Sequence, residues 1–114
     1  LKIYGLGSTE RLSGIDRDFF DKYVKQIQKN EVDFQDLLTA DSVNSANIIR
    51  GIRGEAHKIK FLPIEYSQNI TDMLIWDDNI ALISLEEPIF GTLITSKPLA
   101  NTLKTILQFI WSRV

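Results

Sequence analysis

Residues 71–111 read TDMLIWDDNIALISLEEPIFGTLITSKPLANTLKTILQFIW, and their patterning decides the fold. Thr71–Trp76 and Ile80–Leu85 are apolar runs on either side of Asp77-Asp78-Asn79, a turn composition that predicts a hairpin. Glu86-Glu87-Pro88 makes the next turn, and Ile89–Thr95 a further strand of the meander. Ser96 then stands as an N-cap with Pro98 in the first turn, where a missing N–H costs nothing. Leu99, Leu103, Ile106, Leu107, Ile110 and Trp111 follow at i, i+4, i+7, i+8, i+11 and i+12. Such a stripe is wide enough to cover one face of a sheet.

Upstream, strand and helix signals alternate. Lys2-Ile3-Tyr4-Gly5-Leu6-Gly7-Ser8 is short, apolar and ends in small residues, as a buried strand entering a loop does. Phe19, Phe20, Tyr23, Val24 and Ile27 recur at helical spacing, with Asp16 as N-cap and Asn30 as stop. Asp18–Lys22 and Asp21–Lys25 are well-oriented i,i+4 pairs on that helix. A strand is expected over Asp33–Thr39. Asp41 or Ser42 caps a second helix through Val43, Ala46, Ile49 and Ile52, weakened by Gly51 and Gly54. Lys58–Leu62 sets Ile59 and Phe61 on one face and both lysines on the other, ending at Pro63. The expected order is β-α-β-α-β-β-β-β-α, a single α/β domain over residues 1–114 with a mixed sheet and flanking helices.

The bulk numbers narrow the function classes. A chain of 114 residues is one domain's worth of material, and 44% hydrophobic residues suffice for a core. The net charge of −2 argues against a phosphate-contacting nucleic-acid binder, which carries a basic surplus or stripe. The absence of cysteine excludes a disulfide scaffold and a thiolate metal site. It also fits a reducing interior, so a cytoplasmic location is expected. No run approaches the roughly 18 apolar residues of a membrane span. The chain opens at Leu1 inside a strand-like segment, which reads as a domain whose N-terminal neighbour has been removed.

The search for chemistry returns little. His57 is the only histidine, and no G-x-S-x-G elbow is present. Gly5-Leu6-Gly7-Ser8 follows a strand like a dinucleotide loop, but Glu10 replaces the third glycine, and no helix start is read there. Asp77 and Asp78 could hold a hard cation, yet Asp is favoured in hairpin turns for its own backbone bonds, so no metal is expected. Arg50, Arg53, His57, Lys58 and Lys60 form the one basic concentration, tempered by Glu55. It reads either as an anion-binding site or as the solvated face of a helix and a strand, the second being favoured. Trp76 and Trp111 are read as core or interface residues before sugar-stacking platforms, Trp111 being the better subunit contact.

From Asp72 onward the chain resembles the effector domain of TrmB-type archaeal and bacterial transcriptional regulators. The run Asp72–Lys97, DMLIWDDNIALISLEEPIFGTLITSK, matches that family's strand, acidic hairpin turn, aliphatic strand ending Ser-Leu, Glu-Pro stretch and strand ending Ser-Lys. The closing helix with Phe109 and Trp111 matches too, as does the stretch around Arg50, Arg53 and Phe61-Leu62-Pro63. The likeness covers most of the chain and is strongest over residues 58–112. Its motifs are structural, so they point to the family better than to a ligand.

The resemblance implies the fold of half a phospholipase D. Laying the signature H-x-K-x-x-x-x-D on the hairpin with Asp77 as the acid puts Ile70 in place of the histidine and Asp72 in place of the lysine. An isoleucine cannot attack phosphorus, and an aspartate repels a phosphate, so no catalysis and no cofactor are expected. What the family implies instead is a homodimer that holds winged-helix DNA-binding domains, N-terminal to Leu1, at the spacing of a palindromic operator. A small-molecule effector, usually a sugar, is also implied, with Arg50, Arg53, Lys58, Lys60, Asp72 and Trp76 as candidate ligand residues. Phe109, Ile110 and Trp111 are the candidate dimer contacts. Two alternatives are a phosphodiesterase or nuclease with a displaced site using His57, and an interaction module without a ligand.

Overall fold

A computed structural model describes residues 1–10, 22, 25, 26, 28–68, 70–84 and 86–114. Among these residues six strands form one mixed sheet: β1 (Lys2–Gly7), β2 (Asp33–Leu38), β3 (His57–Phe61), β4 (Asp72–Trp76), β5 (Asn79–Ser84) and β6 (Phe90–Thr95). Their spatial order is β3-β2-β1-β4-β5-β6. β1, β2 and β3 are parallel, while β4, β5 and β6 run as an antiparallel meander. Chain direction across the sheet therefore reverses between β1 and β4. The expected strand sequence is present, with ends displaced by a residue or two.

Two helices are complete among the described residues: α1 (Val43–Arg53) and α2 (Lys97–Trp111). Lys22, Lys25, Gln26, Gln28 and Lys29 are helical as well, in the segment where a helix is expected. Asp16, Asp18, Phe19, Phe20, Asp21, Tyr23, Val24 and Ile27 lie outside the described residues. Thr9 and Glu10 are already helical, so a helix does start directly after the first strand and its glycine pair. No capping box or apolar period marks that point in the sequence.

The strand register separates the two faces of the sheet. Tyr4, Leu6, Leu37, Met73, Ile75, Ile80, Leu82 and Ile94 share one face and receive Ala100, Leu103, Leu107, Ile110 and Trp111 of α2. Leu37, Ile75, Ile80, Ala100 and Leu107 are fully enclosed there. Each of the leucine and isoleucine side chains stabilises the fold by ~1.5–3 kcal/mol. The apolar stripe of α2 is narrower than expected, because Leu99 and Ile106 are exposed, and Ala100 is enclosed instead. Ser96 caps α2 as expected, its Oγ accepting the Leu99 N–H at 3.3 Å.

The opposite face carries Phe34, Asp36, Leu38, His57, Ile59, Asp72, Leu74 and Trp76, and α1 lays Ile48, Ile49 and Ile52 against Ile59. Gly54, which weakens α1 by propensity, ends it: at φ 57° and ψ −136° it takes a backbone conformation open to glycine, and it donates its N–H to the Arg50 carbonyl. The hairpin between β4 and β5 is a two-residue loop, since Trp76 pairs with Asn79, and Asp77 is left-handed at φ 52°. Aspartate tolerates that region better than most residues.

Candidate functional site

The carboxyl ends of the parallel strands carry a polar rim. Asp72 begins β4 beside the end of β1, and its Oδ1 accepts the Ser8 N–H at 2.9 Å. A Cβ at Gly7 would overlap that carboxylate, so the glycine is there to let it approach. Thr9 and Ser45 share a hydrogen bond of 2.6 Å that ties the turn after β1 to α1. Thr39 Oγ1 bonds with Asp41 and with Ser42 Oγ, and the Ala40 N–H is donated to Ser67 Oγ at 2.9 Å. Beyond the ends of β2 and β3 lies an open hollow of about 290 Å³ lined by Ala40, Asp41, Ile64, Ser67 and Gln68.

The strand-to-helix turn at Gly7-Ser8-Thr9 has the placement of a phosphate loop, since backbone N–H groups at such a turn attract anions. Here the position is taken by the chain's own carboxylate. Asp72 supplies the negative charge that a phosphate would bring, and it repels any second anion.

The basic concentration does not converge. Lys58 and Lys60 share the α2 face of the sheet, whereas Arg50 and Arg53 belong to the α1 face. Lys60 is half-buried; its Nζ donates to the Trp111 carbonyl at 2.9 Å and lies 4.9 Å from that ring's centre. The expected solvated lysine is thus a clamp on the end of α2. Arg50 donates to the Ile59 carbonyl at 3.3 Å and stacks over Phe61.

Arg53 is 3% exposed and does not face solvent. Its Nε donates to His57 Nδ1 at 3.2 Å, Nη1 to Gln28 at 3.0 Å, and Nη2 to the carbonyls of Val32 and Ala56. His57 stacks flat on Phe34 at 4.5 Å, and its Nε2 meets Asp36 Oδ2 at 2.9 Å. Both nitrogens of the only histidine are therefore engaged. Asp36 and its link to His57 went unnoticed in the sequence, where the two lie far apart and meet only through the β2–β3 register.

Asp72 and Trp76 lie on one face of β4 but four residues apart, about 13 Å along a strand, so they do not form one site. Ile110 and Trp111 pack into the α2 core, while Phe109 is 60% exposed with Arg113 over its ring at 4.9 Å. Among the described residues no three His, Asp or Glu side chains cluster as metal ligands, and no helix is long and apolar enough to cross a membrane. In comparisons with known proteins, no family model, curated protein or solved structure matches the chain.

Proposed function

We propose that this chain is the regulatory domain of a TrmB-like transcriptional regulator, with a phospholipase D-like half fold that has lost its chemistry. Its work is dimerisation, which holds DNA-binding domains at a set spacing, and the reading implies a cytoplasmic location. The observation that carries it is the Asp72 carboxylate closed on the Ser8 N–H. Where a phosphodiesterase needs a cation and a nucleophile, the end of β1 presents an acid already hydrogen-bonded to its own backbone. The buried Arg53–His57–Asp36 chain supports the same reading, because it employs the only histidine in holding β2, β3 and α1 together.

A small-molecule effector of the sugar type is the second part of the proposal. The hollow beyond β2 and β3, lined by Ala40, Asp41, Ile64, Ser67 and Gln68, is the cavity to which this part of the proposal assigns the effector. Effector binding biases the dimer only if the two arrangements differ in affinity for it.

Two assays test this. Purified chain and its His57→Ala variant are given a generic phosphodiester, and no turnover above buffer is expected from either; turnover lost on substitution would sink the proposal. A thermal-shift screen against sugars and sugar phosphates is expected to favour the uncharged compounds. A ligand at about 100 times its dissociation constant adds about 2.7 kcal/mol.

A further inference from the structure

β6 is an unusually open sheet edge. Among the described residues it is hydrogen-bonded to β5 alone. Its sequence Phe90-Gly91-Thr92-Leu93-Ile94-Thr95 carries no charge, and every residue but Ile94 is exposed. Such an edge presents a row of unpaired N–H and C=O groups, and proteins usually blunt it with Lys, Pro or a bulge. β3, at the other edge, carries Lys58 and Lys60. α2 packs over β1, β4 and β5 and reaches β6 at Ile94, leaving the rest of that strand exposed.

We propose that β6 is the seam of the homodimer, pairing antiparallel with β6 of a second copy about a two-fold axis beside Thr92. The inference rests on the dimer reading above and names its surface. In that register Phe90 of each copy stands opposite Ile94 of the other, on the sheet face that carries α2. Aromatic and β-branched residues are a favourable cross-strand pair. Leu93, 63% exposed, stands opposite Gly91, whose missing side chain leaves open space. The leucine fills what the glycine leaves.

Charge selects this arrangement over its competitors. Glu87 precedes the strand and Lys97 follows it. The antiparallel register lays the Lys97 end of each copy beside the Glu87 end of the other, whereas a parallel pair would set like charges together. The contact is isologous, so it closes at two copies. The lysine-bearing β3 edges, at the far ends of the joined sheet, discourage further growth.

Thr92→Cys tests the seam. The chain has no cysteine, so the new thiol is the sole one. Residues directly opposed in antiparallel strands have Cα atoms about 4.5–5.5 Å apart, inside the range of about 4.4–6.8 Å that a disulfide spans. Mild oxidation is expected to give a disulfide-linked dimer, and Thr105→Cys, exposed on α2, is expected to give none. Leu93→Lys, at an exposed position that leaves the fold intact by circular dichroism, is expected to raise the dimer dissociation constant roughly tenfold. Lys97→Glu and Glu87→Lys are each expected to weaken it about threefold, with recovery in the double variant. A dimer that survives Leu93→Lys and gives no Thr92→Cys cross-link overturns the seam and leaves the dimer reading standing. A wild-type monomer at every concentration overturns both, and open-ended polymers through β6 overturn the seam.

Discussion

His57 accepts the Nε–H of Arg53 at Nδ1, 3.2 Å away, and so carries its own proton on Nε2, which it donates to Asp36 at 2.9 Å. One imidazole relays a guanidinium to a carboxylate, and all three side chains are buried. Arg53 also satisfies the carbonyls of Val32 and Ala56, so its removal strands several acceptors in the interior. Breaking a buried charged pair by deleting one partner costs about 3–5 kcal/mol. Arg53→Met is expected to lose about that much in urea unfolding. Arg53→Met with Asp36→Asn is expected to lose less than the sum of the single losses, with a coupling of ~0.5–3 kcal/mol. Additive losses would show that the relay is only proximity.

The glycines of β1 differ in kind from the glycine of α1. A Cβ at Gly5 would collide with the Asp36 carboxylate, and one at Gly7 with that of Asp72. Gly5→Ala and Gly7→Ala are each expected to destabilise by ~1–3 kcal/mol. Gly51 meets nothing within 4 Å, so Gly51→Ala is expected to stabilise by ~0.5–1 kcal/mol. Thermal denaturation of the three variants checks the signs.

Along α2, burial and not sequence spacing sets the cost of truncation. Leu107 is 3% exposed and Leu99 38%. Leu107→Ala is expected to cost ~2–5 kcal/mol, while Leu99→Ala stays near ~1 kcal/mol or below. Equal losses would mean that the helix is rotated from the face described.

The β4–β5 turn reports on Asp77. At φ 52° an L-residue pays ~1–2 kcal/mol, reduced for Asp. Asp77→Gly is expected to raise stability by ~0.5–1 kcal/mol and Asp77→Val to lower it by ~1–2 kcal/mol. The hydrogen bond from Lys104 to the Asp77 carbonyl is unaffected by either change, as it uses backbone. A loss of stability in Asp77→Gly would show that the carboxylate does more than turn the chain.

Local signals carried most of the fold. The acidic turn, the Ser96 cap and the alternation of Lys58 and Lys60 with Ile59 and Phe61 each depend on neighbours a few residues apart, and each reappears in the structure. The strand order was not legible, because β1 takes the middle of the sheet through pairings with β2 and β4 that no local pattern announces. The candidate site suffered most. Arg53 and Lys60 looked like solvated cations, yet one is sealed under β2 and β3 and the other lies along Trp111. In the sequence Asp72 reads as a charge that repels phosphate and as a candidate effector ligand, and only the register of β1 with β4 reveals that it holds Ser8.

Sedimentation equilibrium of the chain over a wide concentration range tests the central claim most directly, because a domain whose work is to hold two copies must assemble without any substrate. A monomer–dimer equilibrium with no larger species is the expected result. A single species of monomer mass throughout the range would contradict it.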